Sequence, residues 1–223
     1  MINGCLKLVV LGAGRSGKVE VLTKYFKRKF NEGKSEVNPA FYEKTVNYHG
    51  KKVELKFWDT SGQKEFKAIS MMYYQNSVGA LLVYDASNFE TFEKVKSLVI
   101  TLHEAVGKDI TIVIIGNKFD LISKNIMEEQ MPIIESYCTK ERFKHFYVSA
   151  KTGLNIDDAF DYLINETLNK VFSSTKKRGR KSEISLLENK KEKSINQEDI
   201  KKKEKHLQKK DFINLKLLKY YNV

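Results

Sequence analysis

The sequence predicts an α/β protein in which a six-stranded, mostly parallel sheet lies between two layers of helices. Short apolar runs alternate with helix-length segments along the chain, which is typical of a parallel sheet covered on both faces. An early pair of alternating segments surrounds His49-Gly50 and predicts a hairpin that adds one antiparallel strand. The chain has 223 residues with 41% apolar content, which is enough for one domain with a core and an appendage.

The first two elements are a strand and a helix. Leu6 to Leu11 (LKLVVL) is a nearly continuous apolar run followed by glycine, as expected of a buried strand. Val21, Leu22, Tyr25 and Phe26 then recur at three- and four-residue spacing, which predicts a helix.

The later elements repeat this alternation. The hairpin strands are Phe41 to Tyr48 and Lys52 to Trp58, and Ser87-Asn-Phe-Glu90 is a capping-box sequence that opens a helix reaching about Val106. The remaining predicted strands are Ala80 to Tyr84, Ile110 to Ile115 and Phe146 to Ala150, and the remaining helices are Met127 to Thr139 and Asn155 to Phe172.

A glycine-rich loop joins the first strand to the first helix. In this context, Gly12-Ala-Gly-Arg-Ser-Gly-Lys18 predicts a phosphate-binding loop. Its backbone N–H groups would surround the β-phosphate, the helix N-terminus would favour an anion, and Lys18 would reach the β- and γ-phosphates. The candidate residues of the loop and the first helical turn are Gly12, Gly14, Arg15, Ser16, Gly17, Lys18 and Val19.

Polar motifs also follow three later strands. In Trp58-Asp-Thr-Ser-Gly-Gln63, the Asp59 carboxylate can hold a magnesium ion through water, and Gly62 can sense a γ-phosphate. In Asn117-Lys-Phe-Asp120, the last carboxylate can accept from both N1–H and the exocyclic amine of guanine, a pair of donors that adenine lacks. The other candidates are Ser149, Ala150 and Lys151, which offer a backbone N–H to the guanine carbonyl, and Phe30, which can pack on the purine edge.

These motifs, GAGRSGK, DTSGQ, NKFD and SAK, resemble in order and spacing the Ras superfamily of small GTPases, which have a P-loop three-layer fold. The resemblance runs from about Leu6 to Phe172. Trp58 before DTSGQ, Phe66 after it, and Tyr73-Tyr74 before GALLVYD are most similar to the Rab branch, whose members are membrane-traffic switches.

The resemblance implies specific roles. Lys18 contacts phosphates, Asp59 supports Mg²⁺ and Gln63 orients the water that attacks GTP to give GDP. Effectors, exchange factors and GTPase-activating proteins are the implied partners. The residues that read guanine by this resemblance are Asn117, Lys118, Asp120 and Ala150.

Two departures concern Mg²⁺. The family places Ser or Thr directly after the P-loop lysine as a metal ligand, whereas this chain has Val19, and Glu20 is expected to point elsewhere on the helix. The switch-I threonine of the family is also missing, and Glu36, at or beside its position, is a candidate oxygen ligand instead. Weakened metal binding is therefore expected, and a pseudo-GTPase acting as a protein-interaction module is the alternative to a hydrolysing switch.

The predicted domains are residues 1–173, a GTPase domain, and 174–223, a basic, largely disordered tail that ends in a candidate short helix. The tail holds 16 Lys and Arg against 7 Asp and Glu, so most of the net charge of +12 lies there. Because neither Cys5 nor Cys138 is a C-terminal prenylation site, the tail charge is the expected contact with an anionic membrane. Nucleic-acid binding is less supported because aromatic residues are few, and a cytoplasmic protein is expected.

Overall fold

The computed structural model describes residues 5–27, 41–59 and 73–177, apart from the side chains of 174–177. All three ranges belong to the first of two compact units, Met1–Lys177. The second unit, Arg178–Val223, lies outside the described residues, and with it almost all of the basic tail and the candidate terminal helix.

The predicted sheet is confirmed. Six strands lie in the order β2-β3-β1-β4-β5-β6, and all pairs are parallel except β2 with β3, which form the predicted hairpin. The strands are β1 Cys5–Gly12, β2 Phe41–Tyr48, β3 Lys51–Asp59, β4 Ser77–Asp85, β5 Thr111–Asn117 and β6 Lys144–Tyr147.

Helices connect the parallel strands as expected for this fold class. They are α1 Lys18–Lys27, α2 Phe89–Val106, α3 Lys124–Glu141 and α4 Ile156–Lys177, and a 3-10 turn spans Phe119–Leu121. Within the described ranges, no helix is long and apolar enough to cross a membrane.

The core lies between the sheet and the helices. β1 and β4 are buried on both faces because helices cover them, which explains their continuous apolar sequence. Tyr25 of α1 stacks on Phe160 of α4 with ring centroids 3.9 Å apart, and both rings contact Phe57 of β3. This aromatic contact fixes α1 against the sheet and so positions the loop that precedes it.

Several element boundaries differ from the sequence prediction, and three of these differences bear on the site or the domain. The cap of α2 is Asn88, not Ser87: its side chain accepts from the backbone N–H of Glu90, while Ser87 donates to Asp85. Strand β6 ends at Tyr147, so residues 148–150 form a loop instead of strand. Helix α4 continues to Lys177, past the expected end of the domain at residue 173, and the division into domain and tail stays a prediction.

Candidate functional site

The described residues of the four sequence motifs lie at one edge of the sheet, and Asp59 is the described residue of DTSGQ. β1 ends at Gly12, β3 at Asp59 and β5 at Asn117, and these three strands run in the same direction as β6. In an open parallel sheet, the carboxyl ends of the strands are where ligands bind. The sequence prediction that the described parts of these motifs converge is therefore supported by the topology.

The glycine-rich loop needs its glycines for close approach. A Cβ on Gly12 would lie 2.1 Å from the carbonyl oxygen of Val83, on neighbouring β4. Gly17 has a φ of +87°, and a Cβ there would lie 2.3 Å from Nδ2 of Asn117. Glycine at these two positions lets the loop pack against β4 and β5, whereas Gly14 is in open space.

Lys18 folds back over the loop that it terminates. Its Nζ donates to the carbonyl oxygens of Gly12 and Ala13, each at 3.0 Å. Burial lowers the pKa of Lys18, while the carboxylates of Asp59 and Glu20 act in the opposite direction. The ammonium group therefore lies inside the concave side of the loop, close to the end of β3.

Asn117 links the glycine-rich loop to the loop that follows β6. Its Nδ2 donates to the carbonyl oxygen of Ser16 at 3.1 Å, and its Oδ1 accepts from the backbone N–H of Ala150 at 3.0 Å. The side chain is almost completely buried. Asn117 thus uses both ends of its amide within the protein, and its role is to hold two loops in register.

Lys118 forms a second connection to the glycine-rich loop. Its Nζ donates to the carbonyl oxygen of Arg15 at 2.8 Å and forms an ion pair with Asp85 at the end of β4. The backbone of Lys118 is left-handed, with a φ of 63°. Asp85 was not predicted from the sequence, although it ends an apolar strand just as Asp59 does.

Asp120 is exposed, and Ser149 holds its carboxylate. Ser149 Oγ donates to Oδ1 of Asp120 at 2.7 Å and accepts from the backbone N–H of Thr152 at 3.1 Å. One carboxylate oxygen is therefore fixed by the protein at the entrance of the site. Lys151 is exposed beside this group.

A buried polar cluster lies beneath the Asn117 motif. Tyr84 OH is 2.8 Å from Nε2 of His145, which joins β4 to β6. A Cβ on Gly116 would lie 2.5 Å from Tyr84 OH, so the Tyr84 side chain can take this position only because residue 116 is a glycine. The ring of Tyr147 packs edge-on against His145 and supports Phe119 at a centroid distance of 4.8 Å. These contacts position the residues on either side of Asn117.

The described residues offer an incomplete set of metal ligands. The buried carboxylate of Asp59 is suited to Mg²⁺ or its bound water, whereas the side chain of Val19 has only methyl groups. The expectation that Glu20 points away from the metal position stays a prediction. Glu20 lies in the first turn of α1, and its Oε2 is 3.6 Å from where a Cβ on Gly17 would be.

Several predicted site residues lie outside the described residues. They are Phe30, Glu36, Gly62 and Gln63. The described part of the site therefore consists of the phosphate-binding loop, Asp59 and the two loops after β5 and β6.

The family comparison agrees with this geometry. The model of the Ras family matches residues 7–169, which include every described motif of the site. This chain belongs to the Ras family. Its sheet, with one antiparallel strand and helices on both faces, is the architecture of a Ras-superfamily small GTPase.

The curated relatives of this Ras-family chain are Rab-like. It is 36% identical to the GTP-binding protein YPT53 of Saccharomyces cerevisiae over 163 residues, covering 71% of this chain and 74% of the relative. It is 38% identical to the Ras-related protein Rab-21 of Mus musculus over 155 residues, covering 69% of each. It is 32% identical to the Ras-related protein YPTC6 of Chlamydomonas reinhardtii, covering 72% of this chain and 74% of the relative.

Proposed function

We propose that this chain is a guanine-nucleotide-dependent switch of the Rab type, which binds GTP and GDP, hydrolyses GTP and acts in vesicle traffic or signalling. The relatives named Rab-21 and YPT53 support this class of function. Effector, exchange and GTPase-activating proteins are its proposed partners.

The observation that supports the proposal is that hydrogen bonds join the Asn117-Lys-Phe-Asp120 motif, called here the guanine motif, to the phosphate-binding loop. Asn117 and Lys118 each bind a backbone carbonyl of that loop, and Ser149 holds Asp120 beside them. A base recognised by Asp120 would therefore place its own phosphates over Gly17 and Lys18. Such preorganisation reduces the entropy lost when a ligand binds.

The proposed roles follow from this arrangement. Asp120 reads the two guanine donors, and the loop N–H groups with Lys18 hold the phosphates. Asn117 mainly links the phosphate-binding loop to the loop after β6, because both polar atoms of its amide have protein partners. The N–H of Ala150 already donates to Asn117, so the guanine carbonyl would share that donor or use Lys151. Phe30 and Gln63 keep the roles implied by the family, purine packing and water orientation.

Magnesium is proposed to bind weakly. Asp59 would hold it through water and Glu36 is a candidate for a further oxygen ligand, while Val19 contributes none. The metal would offset phosphate charge, and this chain would supply fewer ligands to it than its family does.

Substitution of Asp120 tests guanine recognition. In Asp120→Asn, the carboxylate that accepts from two guanine donors becomes an amide, so affinity for GDP should fall and affinity for xanthosine diphosphate should rise. Competition against a fluorescent nucleotide measures both. The unmodified protein should prefer GDP to ADP by at least about tenfold, since each unpaired polar group costs roughly 1 to 3 kcal/mol. Equal affinities for GDP and ADP would overturn the assignment.

A pseudo-GTPase that binds nucleotide as an interaction module is the second candidate, and Val19 favours it. Under this alternative, GTP hydrolysis stays negligible at all magnesium concentrations. Single-turnover hydrolysis in wild type and Val19→Ser distinguishes the two candidates. A rate in wild type that depends on magnesium supports the switch, and hydrolysis only in Val19→Ser supports the pseudo-GTPase.

The remaining parts of the proposal concern organisation and location. Residues 1–173 would form the GTPase domain and residues 174–223 a basic tail. The 16 Lys and Arg of the tail would provide reversible contact with an anionic membrane, and the protein would otherwise be cytoplasmic.

A further inference from the structure

Helix α1 presents three free backbone donors to the proposed phosphate site. The helix begins at Lys18, and its first backbone hydrogen bond runs from the N–H of Val21 to the carbonyl oxygen of Gly17, at 3.0 Å. The N–H groups of Lys18, Val19 and Glu20 precede that bond, so they have no acceptor within the helix. Such donors, together with the helix dipole, favour an anion.

Glu20 carries a negative charge at this same place. Its Oε2 is 3.6 Å from the position of a Cβ on Gly17, whose own neighbour is Nδ2 of Asn117. Glu20 is half-buried, and its charge acts on the ammonium group of Lys18, as does that of Asp59. The carboxylate therefore lies beside Gly17, where the loop meets Asn117, and close enough to act on the charge of Lys18.

A carboxylate in this position has opposite effects in the two states of the protein. Without nucleotide, it satisfies the positive field of the first helical turn. With nucleotide, phosphates occupy that field, and the carboxylate must either move into solvent or remain near a like charge. Both outcomes weaken nucleotide binding relative to a neutral side chain.

We propose that Glu20 is an affinity-determining residue, an internal competitor of the nucleotide phosphates that speeds nucleotide release. This inference rests on the proposed function, because it concerns the site at which guanine nucleotide binds. It also gives Glu20 a role separate from metal binding, since its carboxylate lies on the Gly17 and Asn117 side of the loop.

The test measures release of a fluorescent GDP analogue from full-length wild type and Glu20→Gln. Glutamine keeps the size of the side chain and removes its charge. Release of the analogue from Glu20→Gln should be about tenfold slower than from wild type, as expected when one like charge is removed from a partly exposed position near the phosphates. The matched control is Glu129→Gln, which removes one negative charge from the exposed surface of α3 and should leave release unchanged.

A second arm repeats the measurement with a chelator in place of Mg²⁺. The effect of Glu20→Gln should persist, because the carboxylate acts on the phosphates. Equal release from Glu20→Gln and wild type, or faster release that requires Mg²⁺, would overturn the inference while leaving the proposed function intact. Failure of wild type and variant alike to bind the analogue would contradict the proposed function as well.

Discussion

Asn117 links two loops of the candidate site through its side-chain amide. Its amide joins the carbonyl oxygen of Ser16 to the N–H of Ala150, and Gly17 packs directly against it. Two loops from opposite sides of β5 are therefore fixed by one buried side chain. The NKFD motif therefore contacts the glycine-rich loop through Asn117 and Lys118, in addition to its proposed role in base recognition.

Substituting Gly17 should break the hydrogen bond from Asn117 to the glycine-rich loop. In Gly17→Ala, the new methyl group would lie 2.3 Å from Asn117 Nδ2, at a φ of +87° that disfavours alanine. We expect a loss of roughly 1 to 3 kcal/mol in unfolding free energy from the displaced hydrogen bond, and at least a tenfold loss of GDP affinity. Denaturant unfolding and nucleotide titration measure these changes.

Gly107→Ala is the matched control for Gly17→Ala. Gly107 has nearly the same φ, +85°, but nothing lies within 4 Å of its Cβ position. This variant should lose about 1 kcal/mol of stability through backbone strain alone and keep its GDP affinity. Similar affinities in both alanine variants would contradict the role of Gly17 in holding Asn117.

At the residue scale, the sequence predicted which side chains converge but not what each one contacts. The spacing of NKFD and SAK placed Asn117 and Ala150 near each other, because both follow parallel strands. It could not indicate that the N–H of Ala150 donates to the side chain of Asn117. The proximity of Glu20 to Gly17 could not be predicted either, because a side-chain rotamer, which depends on the neighbouring loop, decides where the carboxylate lies.

Strands β4 and β6 are joined by a partly buried histidine. His145 is 2.8 Å from Tyr84 OH, and burial lowers its pKa to about 4. The ordinary pKa near 6.5 applies to the unfolded chain, so unfolding takes up a proton between these values. This cluster lies below Gly116 and Asn117, and its packing supports the site.

Acid should therefore destabilise the protein through His145. The unfolded state binds more protons below pH 6.5, so stability is present above that pH and lost as the pH falls toward 4. His145→Gln keeps a hydrogen-bond partner for Tyr84 and removes this titration. Between pH 7 and pH 5, wild type should lose about 1.5 kcal/mol more unfolding free energy than the variant. Parallel pH profiles in denaturant unfolding would contradict this account of the cluster.

The order of the elements was predictable, but several of their ends were not. Apolar runs identified β1, β4, β5 and β6 because buried parallel strands have few polar residues, and alternation around His49-Gly50 identified the hairpin strands β2 and β3. The boundary of β6 was misplaced because Val148, Ser149 and Ala150 are buried in a loop and look like strand residues in sequence. The helix cap shifted from Ser87 to Asn88 because Asp85 binds the Ser87 hydroxyl group.

In the whole molecule, the compact unit contains every described site residue, while most of the net positive charge lies in the tail. The tail from Ser174 holds 16 Lys and Arg against 7 Asp and Glu. Each basic residue near an anionic surface contributes about 1 kcal/mol, and acidic residues reduce the sum. The two proposed activities, nucleotide binding by the compact unit and membrane contact by the tail, should therefore be separable.

Truncation after Lys177 tests this separation. The full chain should float with anionic liposomes at low salt and be released near physiological salt, where the Debye length is about 8 Å. The truncated chain keeps all of α4, so it should bind GDP as the full chain does but remain with the soluble fraction. Flotation of the truncated chain, or retention at high salt, would contradict an electrostatic contact made by the tail.

The site formed by the phosphate loop, Asp59, Asp120 and Ser149 is proposed to hold a guanine nucleotide. To test this, the full chain is purified under native conditions and denatured, and the released nucleotide is quantified by chromatography and mass spectrometry. We expect GDP or GTP, with no comparable amount of adenine nucleotide, and we expect the protein to bind added GDP again after its nucleotide is removed. A chain that carries no guanine nucleotide and binds none when GDP is added would contradict it.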